Sequence, residues 1–218
     1  MRFLALLLVV IGLGGCSTPA QPNLLRNGSF EQGVEPWFAL DSANWAGFSL
    51  SDRYAVAGRF SAYLALRATP EDHGAKVFGV IQELSPKRFP KKISGYYRVE
   101  SWRRGTTKQY LQCVVIVWRD RAVSQYQNIQ IRYILTGMTE PPFAITNARF
   151  VFLGEREPVQ GRWVRFERDL HQDFLHQWGH VPERFDKIRV LFEARYDDKE
   201  MGTELAADIY YDALYLGE

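Results

Sequence analysis

The side chains able to do chemistry are dispersed along the chain, which limits what it can catalyse. His171, His176 and His180 lie in one short segment; at about 100° of helix per residue they point to different faces, and no H-E-x-x-H spacing is present. That favours surface histidines over a zinc site. Cys113 sits inside LQCVVIVW, a continuous apolar run, so it reads as a buried thiol rather than a nucleophile. Asp197, Asp198, Glu200 and Glu204 cluster in RYDDKEMGTE. A glycosidase or lyase needs two carboxylates at a set separation, whereas this stretch reads as a solvated loop between the last two strands. No G-x-S-x-G elbow or P-loop occurs. The expectation is a protein that binds and is not an enzyme.

Binding chemistry is easier to place. Tyr96, Arg98, Glu100 and Trp102 alternate along one candidate strand, and Asn128, Gln130 and Arg132 along another whose Ile129, Ile131, Tyr133 and Leu135 must face the core. Tyr110 and Gln112 lie between them in the chain. If these strands are neighbours, their outer side is a face of aromatic rings, amides and guanidinium groups. Such a face suits a glycan, whose C–H patches pack on rings and whose hydroxyls pair with amides and charged groups. An ordinary solvated sheet with cross-strand pairs has the same composition. A second location is the loop Asp41 to Trp45 (DSANW), where Trp45 either stacks on a ligand or joins the core. The basic run PKRFPKK (86–92) is a solvated hairpin loop or a contact for phosphate groups of an envelope polymer or of lipid heads.

The elements that must position these residues are short strands. SAYLALRA (61–68), KVFGVIQEL (76–84), ISGYYRVESW (93–102), YLQCVVIVW (110–118), NIQIRYIL (128–135), NARFVFLG (147–154), RWVRFERDL (162–170), KIRVLFEARY (187–196) and ADIYYDALYL (207–216) are all rich in β-branched or aromatic residues. In the eighth, Ile188, Val190, Phe192, Ala194 and Tyr196 share one face, and Arg189, Glu193 and Arg195 the other. One helix interrupts them: Asp169 is its N-cap, Leu170, Phe174 and Trp178 form its apolar face, and Gly179 stops it. The fold class is all-β, a jelly-roll β-sandwich over residues 23–218 with one short helix. The 218 residues carry a net charge of only +2, so nucleic acid is not an expected partner.

Residues 1–15 read as a secretory leader, with Arg2, an apolar run from Phe3 to Leu13 and small residues before a cysteine. Leu13-Gly14-Gly15-Cys16 resembles the bacterial lipobox, which implies cleavage before Cys16 and lipidation of its thiol. Residues 16–22 would then be the lipidated cysteine and a polar tether, and the acyl chains would hold the domain on a membrane. Ser17 at the following position implies the outer membrane of a two-membrane cell.

Beyond the leader, NLLRNGSFEQGVEPW, AGRFSAYLAL, VIQEL and IYYDALYL, in that order, resemble the galactose-binding-like jelly rolls of family 4 and 9 type carbohydrate-binding modules. The resemblance implies a structural calcium near the joined chain ends, held by Glu31 and Asp212 with carbonyls from around Gly58 to Ser61. Calcium takes six to eight oxygen ligands, so the chemistry is sensible. A hydrogen-bond network in its place, turn capping or arginine pairing accounts for the same two acids. Trp37 would plug one end of the core. The expected function is a membrane-anchored, non-catalytic lipoprotein that binds an envelope or extracellular polysaccharide; the alternative is an assembly lipoprotein with a protein partner.

Overall fold

The structure is a computed structural model that describes residues 22–140 and 145–218. The leader, the expected lipidation at Cys16 and the tether through residue 21 lie outside the described residues.

Two sheets pack face to face. The six-stranded sheet runs in the order β1 (Trp45–Ala46), β4 (Gly74–Leu84), β10 (Lys187–Lys199), β6 (Gln109–Trp118), β7 (Asn128–Thr136), β8 (Ala148–Phe152). The five-stranded sheet runs β2 (Ser49–Ser51), β3 (Ser61–Ala68), β11 (Leu205–Gly217), β5 (Lys92–Arg103), β9 (Trp163–Asp169). All nine expected strands are present. The two additional ones, β1 and β2, have two and three residues, too few for alternation to reveal them.

Alternation then builds the core. Ile188, Val190, Phe192, Ala194 and Tyr196 on β10 point inward as expected and meet Leu64, Leu66, Ile209 and Tyr211 of the opposite sheet. Each fully buried side chain of this kind stabilises the fold by about 1.5–3 kcal/mol. Cys113 is among them, and burial holds its thiol well above the usual range. Two tyrosines bond across the layers: Tyr211 Oη donates to the Glu193 carbonyl at 2.8 Å and Tyr97 Oη to the Leu135 carbonyl at 3.3 Å. The helix α1 (Leu170–Trp178) is capped by Asp169, whose side chain accepts from Gln172 N, and stops at Gly179. It adds Leu170 and Phe174 to the core, and its Asp173 accepts from Tyr133 Oη at 2.9 Å and from Arg168.

Bulges at Ser101 (φ 53°), Asp198 (φ 52°) and Ala213 (φ 49°) shift the side-chain parity, each beside a break in register. The first moves Trp102 from the outer face, where strict alternation puts it with Tyr96, to the inner side, where it packs against the core. The last brings Leu214 back inward after Tyr211 and leaves Asp212 facing out from the central strand.

Asp212 is nonetheless completely buried, because the loop before β3 folds over it. Its Oδ2 accepts from Val56 N at 2.5 Å and Ala57 N at 3.0 Å, and its Oδ1 from Ala213 N at 2.6 Å. Glu31 Oε1 accepts from Arg59 N at 2.9 Å and Phe60 N at 2.7 Å. Gly58, at φ 76°, lies between these donors, and a Cβ there would come 2.3 Å from the Glu31 carboxyl carbon. The N-terminal segment is tied to the same region. Leu24 N donates to Leu216 O at 2.7 Å, and the Asn23 side chain bonds to Leu214 O and Leu216 N. Gly28 approaches so closely that a Cβ would sit 2.2 Å from Leu214 O. Trp37 packs at a tilt against Phe30 and edge-on against Phe192 and donates from Nε1 to Asn27 O, plugging the core as expected.

Replacing Asp212 with Ala strands three backbone N–H groups in a buried site. The Asp212→Ala protein is expected to lose about 3 kcal/mol of stability, read as a lower urea midpoint with an unchanged m-value.

Candidate ligand-binding face

The nine residues expected to share one face do not. β5 lies in the five-stranded sheet, whereas β6 and β7 are neighbours in the six-stranded one, so the residues fall on opposite outer surfaces. The chain crosses from one sheet to the other between β5 and β6, and sequence adjacency does not reveal such a crossing.

On the five-stranded side, Tyr96, Arg98 and Glu100 project outward. Arg98 Nε donates to Glu100 Oε1 at 2.7 Å, and its guanidinium lies 3.8 Å from the centroid of the Tyr54 ring. Tyr54 and Tyr63 each approach Tyr210 with centroids 5.1 Å apart. Trp102, turned inward, does not belong to this cluster.

On the six-stranded side the grouping is tighter. Asn128, Gln130 and Arg132 form a ladder along β7. Gln130 Nε2 donates to Asn128 Oδ1 at 3.1 Å, Arg132 Nε donates to Gln130 Oε1 at 2.9 Å, and Asn147 Nδ2 braces Asn128 Oδ1 at 3.0 Å. Opposite them in register on β6 are Trp118, Ile116 and Val114, and beyond these on β10 are Lys187, Arg189 and Leu191. Glu83 on β4 accepts from Lys187 Nζ at 2.8 Å and from Arg189. Burial alone would raise the Glu83 carboxyl, but those two donors outweigh it and hold the group low. Lys187 and Arg189 also lie 5.3 and 5.7 Å from the Trp118 ring centroid. Trp118 Nε1 is buried with no partner among the described residues.

Tyr110 and Gln112 share this face but lie beneath it, fully buried. Tyr110 Oη donates to Asp197 Oδ2 at 2.8 Å, and Gln112 Nε2 donates to Glu193. Burial, with the nearby Asp197 and Glu193 charges adding to it and Arg195 opposing, pushes the Tyr110 hydroxyl far up. Arg195 bridges Glu193 and Asp197; burial opposes its charge, but Tyr110 and the two acids outweigh that and raise its pKa. Asp197 and Asp198 are thus not in a loop. β10 continues to Lys199, and the bulge at Asp198 turns Lys199 to bond the Asp72 carbonyl. Trp45, on edge strand β1, packs on the apolar strip of Ile81, Val114 and Leu191 beside this face.

The other expected sites stay apart. His171 contacts the Phe89 carbonyl, His180 bonds Asp120 at 2.6 Å, and His176 is exposed beside Gln177. In the basic run, Phe89 and Pro90 are buried, so the loop is anchored rather than free. Glu31 and Asp212 do converge on one loop. Burial, with Glu31 as a smaller contributor, raises the Asp212 carboxyl. Two acids so placed suit a divalent cation by charge. The loop presents four N–H groups to them and β11 a fifth, from Ala213, and no third carboxylate, histidine or thiolate joins them among the described residues. Any cation would complete its shell from carbonyls and water.

Comparison with known proteins gives a fold and no closer kinship. No family model and no curated protein matches the chain. Among solved structures, a β-sandwich carbohydrate-binding module described for promiscuous specificity aligns over 91% of this chain and 64% of its own, at 11% identity and a TM-score of 0.51. The fold is the jelly-roll β-sandwich. The module TmCBM61, solved with β-1,4-galactotriose, aligns over 89% of this chain and 97% of its own, at 13% identity and a TM-score of 0.46. The enzymatically active domain of tailspike protein 4 of bacteriophage CBA120 aligns over 89% of this chain but 21% of its own, at 10% identity and a TM-score of 0.46.

Trp118, Lys187, Arg189 and Glu83 were not singled out by sequence reading as site residues. The parity of β10 had placed Arg189 outward, and Trp118 shares parity with Gln112, so the signal was present. The two tryptophans now separate by experiment. Trp102→Ala is expected to lower stability by about 3 kcal/mol, whereas Trp118→Ala changes it by about 1 kcal/mol or less, read from thermal or urea unfolding.

Proposed function

We propose that the outer face of the six-stranded sheet binds a polysaccharide of the cell envelope or its surroundings, without catalysis. The observation that carries this is the Asn128–Gln130–Arg132 ladder lying beside Trp118 and Ile116. Amides and a guanidinium held by one another are already oriented, so little side-chain entropy is lost when sugar hydroxyls bond to them. Trp118 supplies a ring for C–H packing beside them. The jelly-roll fold supports this reading.

In the same reading, residues 1–15 are removed, Cys16 carries the lipid and the short tether holds the domain at the outer membrane. Confinement near the polymer compensates for weak affinity at each site. Labelled palmitate is expected to enter the wild-type protein and not Cys16→Ala, which should be released from the membrane fraction. Calcium between Glu31 and Asp212 would stiffen the loop over β11. The thermal midpoint is then expected to fall on chelation and recover with added calcium; an unchanged midpoint leaves the N–H network as the sole link. The partly exposed Tyr54 and Tyr63, packed on the buried Tyr210 of the opposite sheet, favour the second reading, in which a protein partner docks there.

Polysaccharide retardation in native gels tests the main reading. Retardation by at least one polymer is expected, with loss of at least tenfold in affinity for Trp118→Ala and Gln130→Ala. Loss with Tyr54→Ala instead would move the site to the other sheet.

A further inference from the structure

One cation on this face makes no ion pair among the described residues. Lys187 and Arg189 share Glu83, Arg195 is held by Glu193 and Asp197, and Lys108 is held by Asp198 and Glu140. Arg132 differs. Its Nε is used by Gln130 and its guanidinium lies 5.9 Å from the centroid of the Phe150 ring, but no carboxylate forms an ion pair with it among the described residues. In register its neighbours are apolar, Val114 on one side and Phe150 on the other. Burial lowers its pKa, opposed by the nearby Glu193 and Asp197 charges and aided by Arg195.

The guanidinium borders a pocket of about 350 Å³, lined also by Lys108, Ile145, Arg195, Asp197 and Asp198. The pocket's own acids are already engaged, Asp197 by Tyr110 and Arg195 and Asp198 by Lys108. Glu193 and Asp197 act on Arg132 only through space, since both are paired with Arg195, and its two terminal nitrogens carry no bond among the described residues. A desolvated cation is costly unless a counter-charge meets it. A planar fork of donors matches an oxyanion with two oxygens in one plane. A neutral hydroxyl would accept one bond and leave the charge unmet.

Resting on the polysaccharide reading above, we infer that the polymer is anionic and that a carboxylate or sulfate ester on it docks against Arg132. The ladder through Gln130 fixes the guanidinium, and the Trp118 end of the face takes the sugar ring.

The test is affinity electrophoresis of the protein with polygalacturonate and alginate, with chondroitin sulfate and carrageenan, and with the carboxyl-reduced or desulfated form of each, at low and high salt. The expected result is binding to an acidic polymer at least tenfold tighter than to its neutralised form, weakened by salt, lost in Arg132→Gln and only partly restored in Arg132→Lys. A response to the uronate polymers alone assigns the anion as carboxylate, and to the sulfated ones alone as sulfate. Equal affinity for the neutralised forms, or wild-type affinity in a folded Arg132→Gln, overturns the inference while leaving glycan binding intact. Binding to no acidic or neutral polymer overturns both. Should Arg132→Gln fail to fold, the wild-type comparison of charged and neutralised polymers decides alone.

Discussion

The buried carboxylate of Asp212 holds the sandwich in register with its own loops. It sits on β11, the central strand of the five-stranded sheet, yet faces outward where water would ordinarily solvate it. Backbone amides of the 56–57 turn take the place of water, and Glu31 holds the next two amides of the same loop. One loop therefore bonds both the first turn of the domain and its last strand. Such an arrangement tolerates little change, because a buried acceptor losing its donors carries the full desolvation cost.

The opposite sheet uses polar burial differently. There the face is layered, with Tyr110, Gln112, Glu193, Arg195 and Asp197 bonded below the surface, Asn128, Arg132 and Trp118 above, and the buried Gln130 joining Asn128 to Arg132. The lower layer satisfies most of its own polar groups and fixes the backbone positions of β6 and β10. Arg195 Nε and Gln112 Oε1 remain without a partner among the described residues. The upper layer is held along β7, where Asn147 also braces Asn128, and by Lys187 and Arg189 over the Trp118 ring.

Much of this was legible in the residues. Alternation located the nine long strands because each has one face in the core, and Asp169 and Gly179 bounded the helix because capping chemistry is local. Side-chain parity also placed Asn128, Gln130 and Arg132 together on β7. What alternation could not convey was which strands become neighbours: Tyr96 and Tyr110 lie close in sequence but on different sheets. Nor could it show the bulge at Ser101, since one extra residue reverses the facing of Trp102 while leaving the composition unchanged. The loop-like appearance of Asp197 and Asp198 misled for a related reason, as their charges are met by Tyr110, Arg195 and Lys108 from distant parts of the chain.

The bond between Leu24 and Leu216 has a mechanical meaning. Tension applied ahead of Asn23 reaches the fold beside the C-terminal end of β11, a strand laddered on both sides to antiparallel neighbours, β3 and β5. A load delivered there meets the Leu24 and Asn23 bonds to β11 together, beside a strand braced on both sides. Resistance to forced unfolding is set by the rate at which they break rather than by equilibrium stability. A domain held by its N-terminal end while its sheet grips a long polymer would thus be loaded through one of its best-braced strands.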